Sequence, residues 1–208
     1  MLLDLVSLKK QYDLNIKGVL HIGAHFGQEM NVYDNLEIKN VIFFEPLPHV
    51  FEVLKNNVGS SAVLYNTALG NMEGIVEMNV ESANQGMSSS ILEPILHTMQ
   101  YPNIIFNEKV EVTINKLDNV MVNHNKEDFN FICIDVQGYE LEVFKGSINT
   151  LKTVDFIISE VNRDEVYKNC TKVEELDKFL SQFGFERVET NWVGHTWGDA
   201  FYVKRNEK

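Results

Sequence analysis

Cysteine is nearly missing from this 208-residue chain: Cys133 and Cys170 are its only two. That excludes a disulfide-stapled scaffold and suits a reducing compartment. Proline is scarce as well, at four residues, and no Pro- or Ser-rich run divides the chain with a linker. No apolar stretch approaches the roughly 18 residues of a membrane-spanning helix. Positive charge is the third shortage: 18 Lys and Arg stand against 30 Asp and Glu, a formal charge of −12. A surface of that sign repels phosphate backbones and anionic lipid, so nucleic acid and membrane are not expected as partners. The opening Met1-Leu2-Leu3-Asp4 has an early acid and no basic start, unlike a secretory leader. The expectation is a soluble, cytoplasmic protein.

What is present is a core. Apolar residues make up 44% of the chain, enough to exclude general disorder. The length suits one domain over residues 1–208, with residues 1–16 as an N-terminal helix or flap. Short apolar runs alternate with helical periodicity. Val19 to Ile22, Val41 to Phe44, Ala62 to Tyr65, Phe129 to Ile134 and Val154 to Ser159 read as strands. Helices are expected over residues 48–57, 139–151 and 172–183, with apolar residues on one stripe. Runs that are apolar on both faces belong to a parallel sheet covered by helices. Between residues 71 and 118 the rhythm breaks: Ile75 to Val80 and Val110 to Ile114 read as an inserted β-hairpin region around the polar stretch Asn84 to Ser90. The tail reads as two strands, Phe185 to Glu189 and Ala200 to Lys204, around a loop from Trp192 to Asp199. The expected fold is α/β: a mostly parallel, doubly wound Rossmann-like sheet with an antiparallel edge strand.

In open α/β sheets ligands bind beyond the carboxyl ends of the strands. Every such end here is polar or Gly-rich: Gly23 to Gly27, Glu45, Asn66-Thr67, Asp135 to Gly138, and Glu160 to Asn162. A glycine turn lets a ligand approach the backbone. A carboxylate about 20 residues further on can accept both hydroxyls of a ribose. Gly23 and Glu45 therefore suggest a nucleoside. The spacing is G-x-x-x-G, without the middle glycine that seats a pyrophosphate, so a nucleoside lacking a diphosphate fits better, as S-adenosylmethionine does.

The runs His21-Ile22-Gly23-Ala24-His25-Phe26-Gly27, Phe44-Glu45-Pro46, Asn66-Thr67-Ala68-Leu69-Gly70, Leu117-Asp118 and Ile134-Asp135-Val136-Gln137-Gly138-Tyr139-Glu140-Leu141 stand in one order. Together they resemble the FkbM-type methyltransferases, over roughly residues 17–163. The resemblance implies a class I, S-adenosylmethionine-dependent O-methyltransferase fold and activity, with a sugar or small natural product as the hydroxyl acceptor. It places Gly23, Ala24 and Gly27 under the methionine and ribose of the cofactor, and Glu45 on the ribose hydroxyls. Thr67 and Ala68 then flank the adenine, Asp135 lies beside the transferring methyl, and His21, His25, Pro46 and Val136 complete the lining. The chain departs from many members in having His21 for an acid, His25 for Asn and Gln137 for Glu.

An alcohol needs a base or a metal to become a nucleophile at neutral pH. Asp135, beside the transferring methyl, is an expected catalytic residue. His195, in a loop with Trp192 and Trp197, is a second candidate beside a stacking surface. Asp135, Glu160 and Asn162 end two successive βα strands and form an oxygen donor set for Mg²⁺ or Ca²⁺. Two other classes stay open: a NAD-type nucleotide-binding oxidoreductase, in which Glu45 holds the ribose of NAD, and a non-catalytic module that keeps the cofactor pocket, which Gln137 keeps alive.

Overall fold

A computed structural model describes residues 1–205; residues 206–208, part of the single-domain expectation, lie outside the described residues. The chain opens with α1 (Leu5–Tyr12), β1 (Gly18–Ile22), α2 (Met30–Asn35), β2 (Asn40–Phe44), α3 (Pro48–Val58) and β3 (Val63–Tyr65). An inserted section follows: β4 (Ala68–Leu69), β5 (Gly74–Glu81), α4 (Leu96–Gln100) and β6 (Phe106–Asn115). The βα rhythm returns with α5 (Leu117–Val120), β7 (Phe131–Ile134), α6 (Glu140–Lys145), β8 (Phe156–Asn162), α7 (Val173–Ser181), β9 (Phe185–Val193) and β10 (Trp197–Lys204).

The main sheet has seven strands in the order β3-β2-β1-β7-β8-β10-β9. The first five run parallel. β10 is antiparallel to both β8 and β9, so the closing hairpin supplies the antiparallel edge region. Strand order reverses between β1 and β7, and that switch point opens a crevice at the carboxyl ends of the two strands. Five consecutive buried residues in β1 and four in β7 place these strands at the centre. One face of the sheet packs α5, α6 and α7 through Leu117, Phe144, Val173 and Leu180. The other packs α1, α2 and α3 through Leu5, Leu8, Tyr33 and Leu54. The β4-β6-β5 sheet stands apart and carries its own core around Met78, Val112 and Ile114.

Two expected elements differ. The helix expected over residues 139–151 stops at Lys145, because Gly146 packs so tightly on Gly70 that a Cβ would lie 1.9 Å from the Gly70 carbonyl oxygen. The expected loop from Trp192 to Asp199 shrinks to residues 194–196: β9 and β10 pair almost to the turn, where Gly194 takes φ 58°. This extension matters for the site, since it sets Asp199 directly opposite Glu160 and Trp197 opposite Asn162. Among the described residues no helix is long and apolar enough to cross a membrane.

Asp118, in one of the resembling runs, is structural. Its carboxylate accepts the Asn149 N–H, the Thr150 N–H and the Thr150 hydroxyl, each at 2.8 Å. It thereby pins the segment that leads into β8. Asp118→Ala is expected to lower unfolding free energy by about 2 kcal/mol in a urea titration, while ligand affinity at the crevice stays unchanged.

Candidate active site

Backbone geometry at the ends of β1, β2 and β7 builds the floor of the crevice. The N–H groups of Gly23 and Ala24 donate to the Phe44 carbonyl at 3.0 Å, and the Asp135 N–H donates to Ile22. Gly23 has φ 82°, and a Cβ there would lie 1.9 Å from the Asp135 carbonyl oxygen, so the turn tolerates only glycine. Gly27 differs from its expected role. It lies outside the lining, and a Cβ on it would meet Leu54 and Val58 at 2.7 Å, so it serves packing against α3.

Two cavities meet over this floor. A narrow slot of about 60 Å³ is lined by Glu45, Pro46, Thr67, Ala68, Val136 and Tyr139, among others. A larger cavity of about 390 Å³ takes in His21, Ala24, Glu160, Trp197 and Asp199. Gly23, His25, Met87, Asp135 and Gln137 border both. The structure thus brings together the expected residues at positions 21, 23, 24, 25, 45, 46, 67, 68, 135, 136 and 160.

Glu45 is buried, and its carboxylate accepts the backbone N–H groups of His25 at 3.0 Å and Leu47 at 2.9 Å. Burial pushes its pKa up to about 7, against the pull of those two donors. Asn66 fixes the same corner by donating to the Glu45 and Pro46 carbonyls. The slot's roof is the polar stretch Asn84 to Ser90, through Gly86, Met87 and Ser89. Buried Glu81 accepts the N–H groups of Asn84 and Gly86 and so shapes the loop. His25 clips it to the glycine turn: Nε2 donates to the Gln85 carbonyl at 2.9 Å, while Nδ1 accepts from the Gln28 amide at 2.8 Å. His25, Gln85 and Gln137 have φ of 48°, 59° and 55°, left-handed conformations that non-glycine residues adopt at a cost.

Gln137 organises the deeper cavity. Its side-chain NH₂ donates to Asp135 at 2.7 Å and Glu160 at 2.9 Å, and its Oε1 accepts from the Tyr167 hydroxyl at 2.7 Å. Glu140, buried behind the turn, accepts the N–H groups of Val136 and Gly138, both at 3.1 Å. Asp199 accepts the Leu2 and Leu3 N–H groups, so the start of the chain lies along the cavity, which Met1 and Leu2 help line. The Met1 ammonium lies 3.8 Å from Glu29. Burial opposes its charge, but Asp135, Asp199 and Glu29 outweigh burial and raise its pKa. Burial, and then Asp135, push Asp199 up to about 6 and raise Glu160 well above the carboxylate range. Buried His21 is held neutral by desolvation, with its Nδ1 2.8 Å from the Tyr33 hydroxyl.

The expected metal set is not assembled. The Gln137 amide fills the space between Asp135 and Glu160 with an N–H donor, and Asn162 lines neither cavity. Among the described residues no group of three or more His, Cys, Asp or Glu could hold a metal ion. His195 is also left out: it sits exposed on the β9–β10 turn, outside both linings. Sequence reasoning missed Glu29, His97, Tyr101 and Tyr167. Asp199 lay in a quoted run, but only the strand register reveals its partner.

The donor set fits S-adenosylmethionine. The slot offers a buried carboxylate for ribose hydroxyls and apolar walls from Leu69, Met78, Ile91 and Tyr139 for a flat base. Asp135, at the junction, offers an anion to a sulfonium.

The buried acids predict a pH dependence. Glu45 and Glu140 have pKa values raised to about 7, and Asp199 to about 6, all by burial foremost. The folded state therefore holds protons that the unfolded chain has released. The resulting stability is present below the unfolded carboxylate range and is lost as pH rises through 6 to 7. Thermal unfolding without ligand is expected to move to lower temperature between pH 5 and pH 8. Glu45→Gln should reduce that loss by about 3 kcal/mol.

Comparison with known proteins agrees with this geometry. The Methyltransferase FkbM domain family matches residues 21–187. The 2-O-methyltransferase NoeI of Sinorhizobium fredii is 25% identical over 173 residues, covering 79% of this chain and 71% of that protein. The hexuronic acid methyltransferase AglP of Haloferax volcanii is 43% identical, but over only 44 residues, 21% of this chain and 18% of its own. Among solved structures, Streptococcus pneumoniae Sp1610 superposes with a TM-score of 0.54 at 12% identity, covering 100% of this chain and 72% of that one. Its complex with S-adenosyl-L-methionine superposes at 0.51, again at 12% identity, covering 100% of this chain and 75% of that one. The fold is thus that of the class I methyltransferases, and this chain belongs to the FkbM methyltransferase family, whose members take their methyl group from S-adenosylmethionine.

Proposed function

We propose that this protein is an O-methyltransferase that acts on a hydroxyl of a saccharide or similar small natural product. The observation that carries this reading is the pair of cavities joined at Asp135: one with the buried Glu45 carboxylate, the other roomy, lined by acids and walled partly by aromatics. The acceptor class draws support from the similarity to NoeI, a 2-O-methyltransferase. Residues 1–208 then form one catalytic domain in the cytoplasm, with the N-terminal segment as its flap.

The bound cofactor supplies a methyl group already activated on a sulfonium. The chain's task is to align an acceptor oxygen with that methyl and remove its proton. Glu45 keeps lone pairs free of the His25 and Leu47 N–H groups and accepts the ribose hydroxyls. Thr67, Ala68, Pro46 and Val136 bound the adenine, while Gly23, Ala24, His21 and His25 border the methionine end. Asp135, steadied by the Gln137 amide, takes the acceptor's proton.

Calorimetry with S-adenosylmethionine and its demethylated product tests the cofactor half of the reading, and radiolabelled methyl transfer to a saccharide panel tests the other half. A protein that bound neither cofactor form would refute the assignment. Glu45→Ala is expected to weaken cofactor binding by about 1–3 kcal/mol. Asp135→Asn should lower the turnover rate by about 100-fold or more and change cofactor affinity only slightly; equal losses in both would remove Asp135 from the methyl.

A further inference from the structure

The larger cavity has walls of one sign. Glu29, Asp135, Glu160 and Asp199 line it, and no Lys or Arg among the described residues does. The partners of three of these acids are neutral donors: the Gln137 amide for Asp135 and Glu160, and backbone N–H groups for Asp199. Glu160 and Asp199 stand directly opposite each other on β8 and β10, and burial raises the pKa of both. Neutral donors satisfy hydrogen bonds but leave the field negative.

Two further features point to a ligand. His97 is 5% exposed and lines the same cavity, yet its Nδ1 has no hydrogen-bond partner. Its ring is packed against Tyr101, Phe106 and Tyr167, and burial lowers its pKa, so it presents a neutral imidazole. At the cavity mouth Trp197 and Tyr101 are joined by an indole N–H to hydroxyl bond of 3.1 Å, a pair of aromatic rings beside the acids. Aromatic faces and carboxylates together recognise a cation.

We propose that the acceptor cavity selects a hydroxyl compound carrying a protonated amine and rejects one carrying a carboxylate. This rests on the methyl-transfer reading and names its substrate class. The net positive charge of the cofactor offsets one carboxylate, which falls to Asp135. Glu29 and Asp199 remain for the ammonium of the acceptor. A carboxylate in the same place would face them in a cavity poor in water. Trp197 offers its face to the ring or the ammonium.

Three methyl glycosides that differ only at carbon 6 test this: the 6-amino-6-deoxyglucoside, the glucoside and the glucuronide. Calorimetry on the protein loaded with demethylated cofactor should rank them amine, neutral, carboxylate, with about tenfold between the first two. In Asp199→Asn, which keeps acceptors for the Leu2 and Leu3 N–H groups, and separately in Glu29→Gln, the amine's advantage should shrink several-fold. Equal affinities, a preference for the glucuronide, an unchanged ranking in both variants, or no saturable binding of any glycoside would each overturn the inference. Labelled methyl transfer separates the two readings. The expected ranking without transfer to any glycoside would sink the O-methyltransferase assignment alone, whereas transfer favouring the glucuronide would sink the charge selection alone.

Discussion

Carboxylates taken out of water organise the functional end of this protein. Glu45, Glu140, Glu160 and Asp199 are all buried at the carboxyl ends of the strands or just beyond them. Desolvation is the foremost cause of the raised pKa of each. Buried charge is normally paired with a cation. Here the fold supplies backbone N–H groups and a single glutamine amide instead. Hydrogen bonds are satisfied without a cation, and burial lets these carboxyls keep their protons to higher pH than free ones do.

The same constraint explains the strained backbone around the crevice. His25 and Gln137 sit in left-handed conformations, one where it can clip the roof loop and the other where its amide reaches both Asp135 and Glu160. An acid at position 137, as many relatives of this type carry, would add a charge to an already anionic pair. The glutamine replaces that repulsion with two donated hydrogen bonds and a link through Tyr167 to the Ser88 carbonyl. The departure from the family pattern thus reads as an adjustment of charge, and not as the loss of a site. The roof loop is built on Glu81 and clipped onto the glycine turn by His25.

Much of this was legible before any fold was known. Apolar runs ending in Gly, Glu or Asp located the ends of β1, β2, β7 and β8, since a strand buried on both faces has to be apolar until it leaves the sheet. Those ends contain much of the lining of the narrow slot, including Gly23, Glu45 and Asp135. Less legible was Gly27, whose part in the glycine turn hides a packing role against Leu54 and Val58. His195 looked chemical because it stands among tryptophans and glycines, yet strand pairing carries it to an exposed turn. Asn162, a plausible oxygen donor, ends up with its side-chain polar atoms buried and unpartnered, away from both cavities.

By itself the sequence determined the α/β alternation, the glycine turn, the acid placed for a ribose and the shortage of positive charge. Each of these is local in the chain or a matter of composition. Only the tertiary structure decided the larger cavity. Glu160 faces Asp199 through the register of β8 and β10, His97 arrives on a helix of the insertion, and Glu29 comes from the far end of the glycine turn. These residues are distant along the chain, and no periodicity links them. Their meeting follows from how the closing hairpin and the inserted section pack over the switch point, which short-range pattern does not encode.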